Sequence, residues 1–140
     1  MGIGMNIFFD VDATIVSDNF ALRPYVREVF EKLIDQGHNL YIWSGVGIRW
    51  EIVDMHKLRP YIQGCYRKPL NDHHKSLALL GVPVVPDFCV DDHWQIIEAF
   101  GGVKVNPYFL PKTDDTEMLR VYDAVVSHNS RKDGKNPEMT

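Results

Sequence analysis

Two carboxylates and a hydroxyl, Asp10, Asp12 and Thr14, stand at alternate positions just after the apolar run Ile7-Phe8-Phe9. Such a run suits a strand buried on both faces of a parallel sheet. In open α/β sheets, ligands bind beyond the carboxyl ends of the strands. Carboxylates gathered there are costly unless a cation neutralises them, so the pattern asks for a metal. The plainer role is a strand-end turn, in which Asp is common.

Three more apolar runs end in residues of the same kind. Leu40 to Trp43 leads to Ser44-Gly45, Tyr61 to Tyr66 leads through Arg67 to Lys68, and Phe88 to Val90 leads to Asp91-Asp92. If the strands are parallel, all four ends open on one edge of the sheet. Carboxylates then hold a hard divalent cation, for which Mg²⁺ is the usual choice with phosphate oxygens. A hydroxyl and nearby backbone N–H groups hold a phosphoryl oxygen, and lysine supplies a positive point charge. Each residue also has a simpler use: Ser44 and Asp91-Asp92 as helix caps, Lys68 as a solvated lysine with Lys75 as a backup, Arg49 and Arg67 as solvated or paired cations. The four together in this order are harder to explain that way. His73-His74 do not form an i,i+4 ligand pair and read as surface histidines. His93 is placed near the double Asp or at a polar helix start. Trp43, Trp50 and Trp94 read as core or pocket walls.

The elements that must position these groups alternate along the chain. A stretch at Ile15 to Phe20 with turn residues in its middle suits a small hairpin. A helix is expected over 22–37, with Pro24 in its first turn, Val26, Val29, Phe30, Leu33 and Ile34 on one face, Glu28 and Lys32 paired outside, and Gly37 as the stop. Further helices are expected over 49–58, 71–80, 93–100 and 114–127. A fifth strand is expected over 103–105, after a Gly101-Gly102 turn. Asp114 and Asp115 would lie near the amino end of the last helix, where negative charge is favoured. Alternation of this kind predicts an α/β fold: a Rossmann-like three-layer sandwich around a central parallel sheet of about five strands.

With 140 residues, the chain is read as one domain, 1–127, followed by a disordered polar tail, 128–140. The net charge of -4 argues against a nonspecific nucleic-acid binder. No membrane-spanning run, secretory signal or myristoylation signal is read. Cys65 and Cys89 lie in apolar runs and read as buried free thiols of a reducing compartment, so a cytoplasmic location is expected.

The ordered strand-end motifs resemble the haloacid dehalogenase (HAD) superfamily, in its phosphatase branch, over roughly Met5 to Val105. The resemblance implies Asp10 as nucleophile and Asp12 as general acid/base, with Thr14 closing the first motif. Ser44 matches the second motif, Lys68 the third, and Asp91-Asp92 the fourth. It also implies Mg²⁺ held by Asp10, the backbone carbonyl of Asp12, and Asp91 or Asp92. Thr14, Gly45 and Arg49 fall on the substrate side. Ala13 stands where the family often has Gly, which matters if that position needs positive φ. Only about nine residues separate Thr14 from the first helix, so the resemblance implies a capless member with an open site. It acts on a phosphorylated small molecule, phosphoprotein or nucleic-acid end, or uses a second subunit as a lid in a homo-oligomer. The implied reaction is Mg²⁺-dependent phosphomonoester hydrolysis. The competing readings are a phosphotransferase, a non-catalytic interaction module and a receiver-like domain. In the last, the phosphorylated Asp would end the third strand and the Lys would come last.

Overall fold

A computed structural model describes residues 4–132. Five strands form one sheet: β1 (Asn6–Asp10), β2 (Asn39–Ser44), β3 (Ile62–Arg67), β4 (Phe88–Asp91) and β5 (Gly102–Lys104). All pairs are parallel, in the order β3-β2-β1-β4-β5. The helices are α1 (Val26–Asp35), α2 (Trp50–Met55), α3 (His73–Leu79), α4 (Trp94–Phe100) and α5 (Glu117–Lys132), with a 3-10 turn at Arg59–Tyr61. The fold is the expected three-layer α/β sandwich.

The strand pleat divides the core. Ile7 and Phe9 of β1 pack with Val29, Phe30 and Leu33 of α1, Ile52 and Val53 of α2, and Val121 and Val125 of α5. Phe8 points the other way, into a second cluster with Tyr41, Trp43, Cys89, Leu77 of α3 and Ile96 of α4. Its ring centroid lies 4.6 Å from that of Tyr41 and 4.5 Å from that of Trp43. Each such side chain contributes about 1.5–3 kcal/mol on burial, so β1 is fixed from both sides. Cys65 and Cys89 are free, buried and assigned to opposite clusters, which keeps them apart.

The order reverses at β1, whose crossovers run to β2 on one side while β4 lies on the other. That switch point opens a crevice at the carboxyl ends. Register places Phe9 beside Val90 and Asp10 beside Trp43, so Asp10 and Asp91 end their strands side by side.

Several local expectations change. Pro24 precedes α1 instead of lying in its first turn. Tyr25 has φ 69° and ψ 2°, and Val26 N–H donates to the Arg23 carbonyl at 3.4 Å. This is a type II turn with Pro24 at its second position and Tyr25 where glycine is favoured. Lys32 lies over the Tyr122 ring, 5.0 Å from its centroid, instead of against Glu28. Gly102 belongs to β5: a Cβ there would stand 1.9 Å from the Cys89 carbonyl oxygen, so glycine lets the two strands meet. Trp94 is exposed and joins neither core nor cavity. The last helix begins three residues later than expected and runs through 128–132, where a tail was expected. His128 packs edge-on against Phe88, ring centroids 5.2 Å apart, continuing the Val121, Val125 stripe. The rest of that tail, 133–140, lies outside the described residues. Among the described residues no helix is long and apolar enough to cross a membrane.

A buried arginine ties these parts together. Arg23 Nε donates to Asp115 Oδ1 at 2.9 Å, Nη1 to the Thr14 carbonyl at 3.1 Å, and Nη2 to the Asn106 carbonyl at 2.8 Å. Asp115 Oδ1 in turn accepts the Glu117 N–H at 3.1 Å, capping α5. One guanidinium thus joins the turn after β1, the segment after β5 and the last helix. Removing one partner of a buried pair costs about 3–5 kcal/mol. Arg23→Met is expected to lower unfolding free energy in urea by about that much, and a loss under 1 kcal/mol would remove this clamp from the account of the fold.

Candidate active site

Asp10, the last residue of β1, is 4% exposed. The turn after it is tight: the N–H groups of Thr14 and Ile15 both donate to the Val11 carbonyl, at 3.2 and 3.0 Å. Ala13 has φ 62°. The position therefore does need positive φ, and alanine holds it at the cost of local strain. The turn aims the Thr14 hydroxyl back at the carboxylates, 3.2 Å from Asp10 Oδ2 and 3.4 Å from Asp92 Oδ1. Thr14 is wholly buried and does not line the cavity; its hydroxyl is engaged by the carboxylates.

Lys68, one residue beyond β3, is buried. Its backbone N–H donates to the Ser44 carbonyl at 3.0 Å, which locks the end of β3 to the end of β2. Its ammonium lies 3.1 Å from Asp10 Oδ1 and 3.0 Å from Asp91 Oδ2. Asp91 is wholly buried, and its Oδ1 accepts the His93 N–H at 2.9 Å. Ser44 Oγ accepts the Val46 N–H at 3.2 Å and shapes the loop after β2. A Cβ on Gly45 would stand 2.8 Å from Leu70 Cδ2, so the glycine lets Leu70 close in beside the cavity.

Asp12 and Arg49 form a separate unit. Arg49 Nη1 donates to Asp12 Oδ2 at 2.6 Å and its Nε to Glu51 Oε2 at 2.9 Å. Arg49 also stacks near Phe20 of the hairpin, 5.6 Å from its ring centroid. That hairpin forms as expected, with Arg23 N–H to the Ile15 carbonyl at 2.8 Å and Ser17 N–H to the Ala21 carbonyl at 2.9 Å. Arg49 does not line the cavity; its charge is spent on Asp12 and Glu51.

Asp10, Asp12, Ser44, Gly45 and Lys68 line one open cavity of about 320 Å³. Leu70, His73, His93 and Gln95 complete its walls with others. Of these, the sequence singled out His93 as near the site and placed His73 on the surface. His73 begins α3 just after the Lys68 loop, so it faces the same sheet edge. His74 turns away, its Nε2 2.8 Å from the Ala99 carbonyl oxygen.

The electrostatics leave an excess of negative charge. Burial, reinforced by Asp91, pushes Asp10 up to about 8 although Lys68 pulls the other way. Burial works against the Lys68 charge, yet Asp10 and Asp91 outweigh it and hold the ammonium above its ordinary value. One lysine therefore does not balance the carboxylates around it. Asp10, Asp91, Asp92 and His93 each offer a ligand atom, all within 4.8 Å of one another. Three carboxylates of this kind suit a hard divalent cation. The Asp12 carboxylate is not in this group; it is turned to Arg49.

Comparison with protein-family models, curated proteins and solved structures returned no match.

The raised Asp10 sets a pH dependence. In the folded chain it keeps its proton up to about pH 8; in the unfolded chain it ionises near its ordinary 3.8. The stability it contributes is complete below the lower value and is lost as pH rises through the upper one. In EDTA, urea stability is expected to fall across that window relative to Asp10→Asn. Parallel profiles for the two proteins would contradict this electrostatic picture.

Proposed function

We propose that the chain is a Mg²⁺-dependent phosphomonoester hydrolase that works through an aspartyl phosphate on Asp10. The observation that carries the reading is the buried Asp10–Lys68–Asp91 arrangement, drawn from the carboxyl ends of β1, β3 and β4 and steadied by Thr14. The resemblance to HAD phosphatases drawn from the ordered motifs points the same way. The strand order also favours it over a receiver-like domain, since receivers follow the order 2-1-3-4-5 and not 3-2-1-4-5.

In this reading Asp10 attacks phosphorus in line and the bond to the leaving oxygen breaks. Asp12 gives that oxygen its proton. Arg49 engages Asp12 Oδ2, so Oδ1 is the oxygen left for proton transfer. Asp12 then takes a proton from water, the water oxygen bonds to phosphorus, and the bond to Asp10 breaks to release inorganic phosphate. Lys68 offsets charge on the nucleophile side. Ser44 and Gly45 line the cavity, and in this reading the Ser44 hydroxyl and the loop backbone hold a phosphoryl oxygen. Asp10, Asp91 and Asp92 would hold the cation, which when bound keeps Asp10 ionised and neutralises phosphoryl charge. Among the described residues no large insertion covers the cavity: the Ile15–Phe20 segment adds only the small hairpin. The substrate is a phosphorylated small molecule, a phosphoprotein or a nucleic-acid end.

The test is hydrolysis of an aryl phosphate, then of sugar phosphates, nucleotides, phosphopeptides and 3′-phosphorylated oligonucleotides, with and without Mg²⁺. Turnover is expected to require Mg²⁺ and to vanish in Asp10→Asn. Asp12→Asn is expected to lose about 10²–10⁴-fold in kcat, the usual contribution of a positioned acid/base. Silence of the folded, Mg²⁺-loaded protein across the panel would overturn the reading in favour of a binding module.

A further inference from the structure

We infer that His93 is a nitrogen ligand of the divalent cation and turns the site toward Mn²⁺ or Co²⁺ over Mg²⁺; this rests on the metal-dependent reading above. His93 precedes α4 in extended conformation, at the position where Ser, Thr, Asp or Asn normally caps a helix. Its side chain makes no cap hydrogen bond, so capping does not explain the ring. The backbone is pinned instead, because its N–H donates to Asp91 Oδ1 at 2.9 Å. That bond sets the imidazole beside the carboxylates, with Nδ1 3.4 Å from Asp91 Oδ1 and 3.3 Å from Asp92 Oδ1. Neighbouring donors on an octahedral ion with bonds near 2.1 Å stand about 3.0 Å apart, so these two His93 spacings need only a small contraction, within a donor group that spans up to 4.8 Å. His93 also lines the cavity, and its side chain is 63% exposed, which lets the ring move as an ion enters.

The chemistry of the donor set gives the consequence. Mg²⁺ favours oxygen ligands and gains little from an imidazole. Mn²⁺, and Co²⁺ more strongly, accept nitrogen and stand in the series where imidazole raises affinity. A plain ion pair between an imidazolium and Asp91 or Asp92 would give the same resting distances and no metal preference. The two are separated by looking at the metal.

The full chain is titrated with Mn²⁺ and examined by pulsed electron paramagnetic resonance for ¹⁴N coupling; Mn²⁺ and Mg²⁺ affinities are measured by calorimetry for wild type and His93→Ala. The expected result is ¹⁴N coupling in the wild type that is lost in His93→Ala. The Mn²⁺-over-Mg²⁺ preference is expected to fall by about tenfold, the low end of what ligand-shell changes cost. Coupling that survives in His93→Ala would assign the nitrogen elsewhere, His73 being in the same cavity, and overturn the inference. Bound Mn²⁺ without ¹⁴N coupling overturns it too and leaves the hydrolase reading standing. A folded wild type that binds neither ion overturns both.

Discussion

The contact on which the site depends is the buried lysine between two buried aspartates. Lys68 is 7% exposed, Asp10 4% and Asp91 0%, and a charge so placed is tolerated only with partners in good geometry. The three residues come from the ends of three strands distant in sequence. Lys68 meets Asp10 and Asp91 because β1 is the central strand with β4 on one side and β2–β3 on the other. The parallel arrangement brings every carboxyl end to one edge, and the register aligns Asp10 with the end of β4. The ion triad in turn constrains the sheet: a slip of one residue would swap the faces of β1 and leave the lysine buried without its carboxylates.

A second buried cation does the structural work behind the first. Arg23 grips the Thr14 carbonyl and Asp115, so the turn that carries Asp12 and Thr14 is held from outside the cavity. This matters because the turn region is strained. Ala13, Phe20 and Tyr25 all have positive φ, a conformation that L-residues adopt at a cost and keep only when neighbours over-determine it. The strain is met by named contacts: Tyr108 N–H on the Ala13 carbonyl at 2.8 Å, Asp18 N–H on the Phe109 carbonyl at 2.8 Å, and Arg23 itself. The segment after β5 is therefore part of the support for the site although it contributes nothing to the cavity wall.

The strands and their chemical ends were legible in the sequence because each is a short apolar run that stops at a polar residue. Periodicity showed the buried face of α1 for the same reason: Val26, Val29, Phe30 and Leu33 repeat at its pitch. What escaped depends on long-range geometry. Nothing in Leu22-Arg23-Pro24 announces that Arg23 is buried against a carboxylate 92 residues away. The positive φ of Ala13 was invisible because alanine gives no sign of it where glycine would. Thr14 and Arg49 were placed on the substrate side by their proximity to the motifs, but a residue near a site can be consumed by its neighbours. His73 read as a surface residue because adjacent histidines lack ligand spacing, a rule that says nothing about which strand end a helix starts from. The end of α5 was set too early because polarity after Ser127 outweighed a stripe that His128 continues.

Rigidity and access are divided among the site's groups in a way that fits proton-transfer chemistry. Asp10, Asp91, Lys68 and Thr14 form a buried floor in which each carboxylate is held by a neighbour. The nucleophile role proposed for Asp10 would gain from that, since a nucleophile must meet phosphorus along one line and reorganisation there costs rate. Asp12 and His93 stand above the floor with side chains 44% and 63% exposed. The acid/base role proposed for Asp12 requires proton exchange with a leaving group and then with water, and the ligand role proposed for His93 requires that the ion can enter; neither task suits a sealed residue. Arg49 reconciles the two demands for Asp12. It fixes one carboxylate oxygen without burying the other, and it is itself braced by Glu51 and the Phe20 ring. The hairpin thus reaches the side chain of Asp12, the proposed acid/base, through the Arg49 guanidinium, beside the backbone bridge between Val16 and Asp12. In the proposed reaction, a contact between a large substrate and the hairpin would reach the residue assigned to protonate the leaving group.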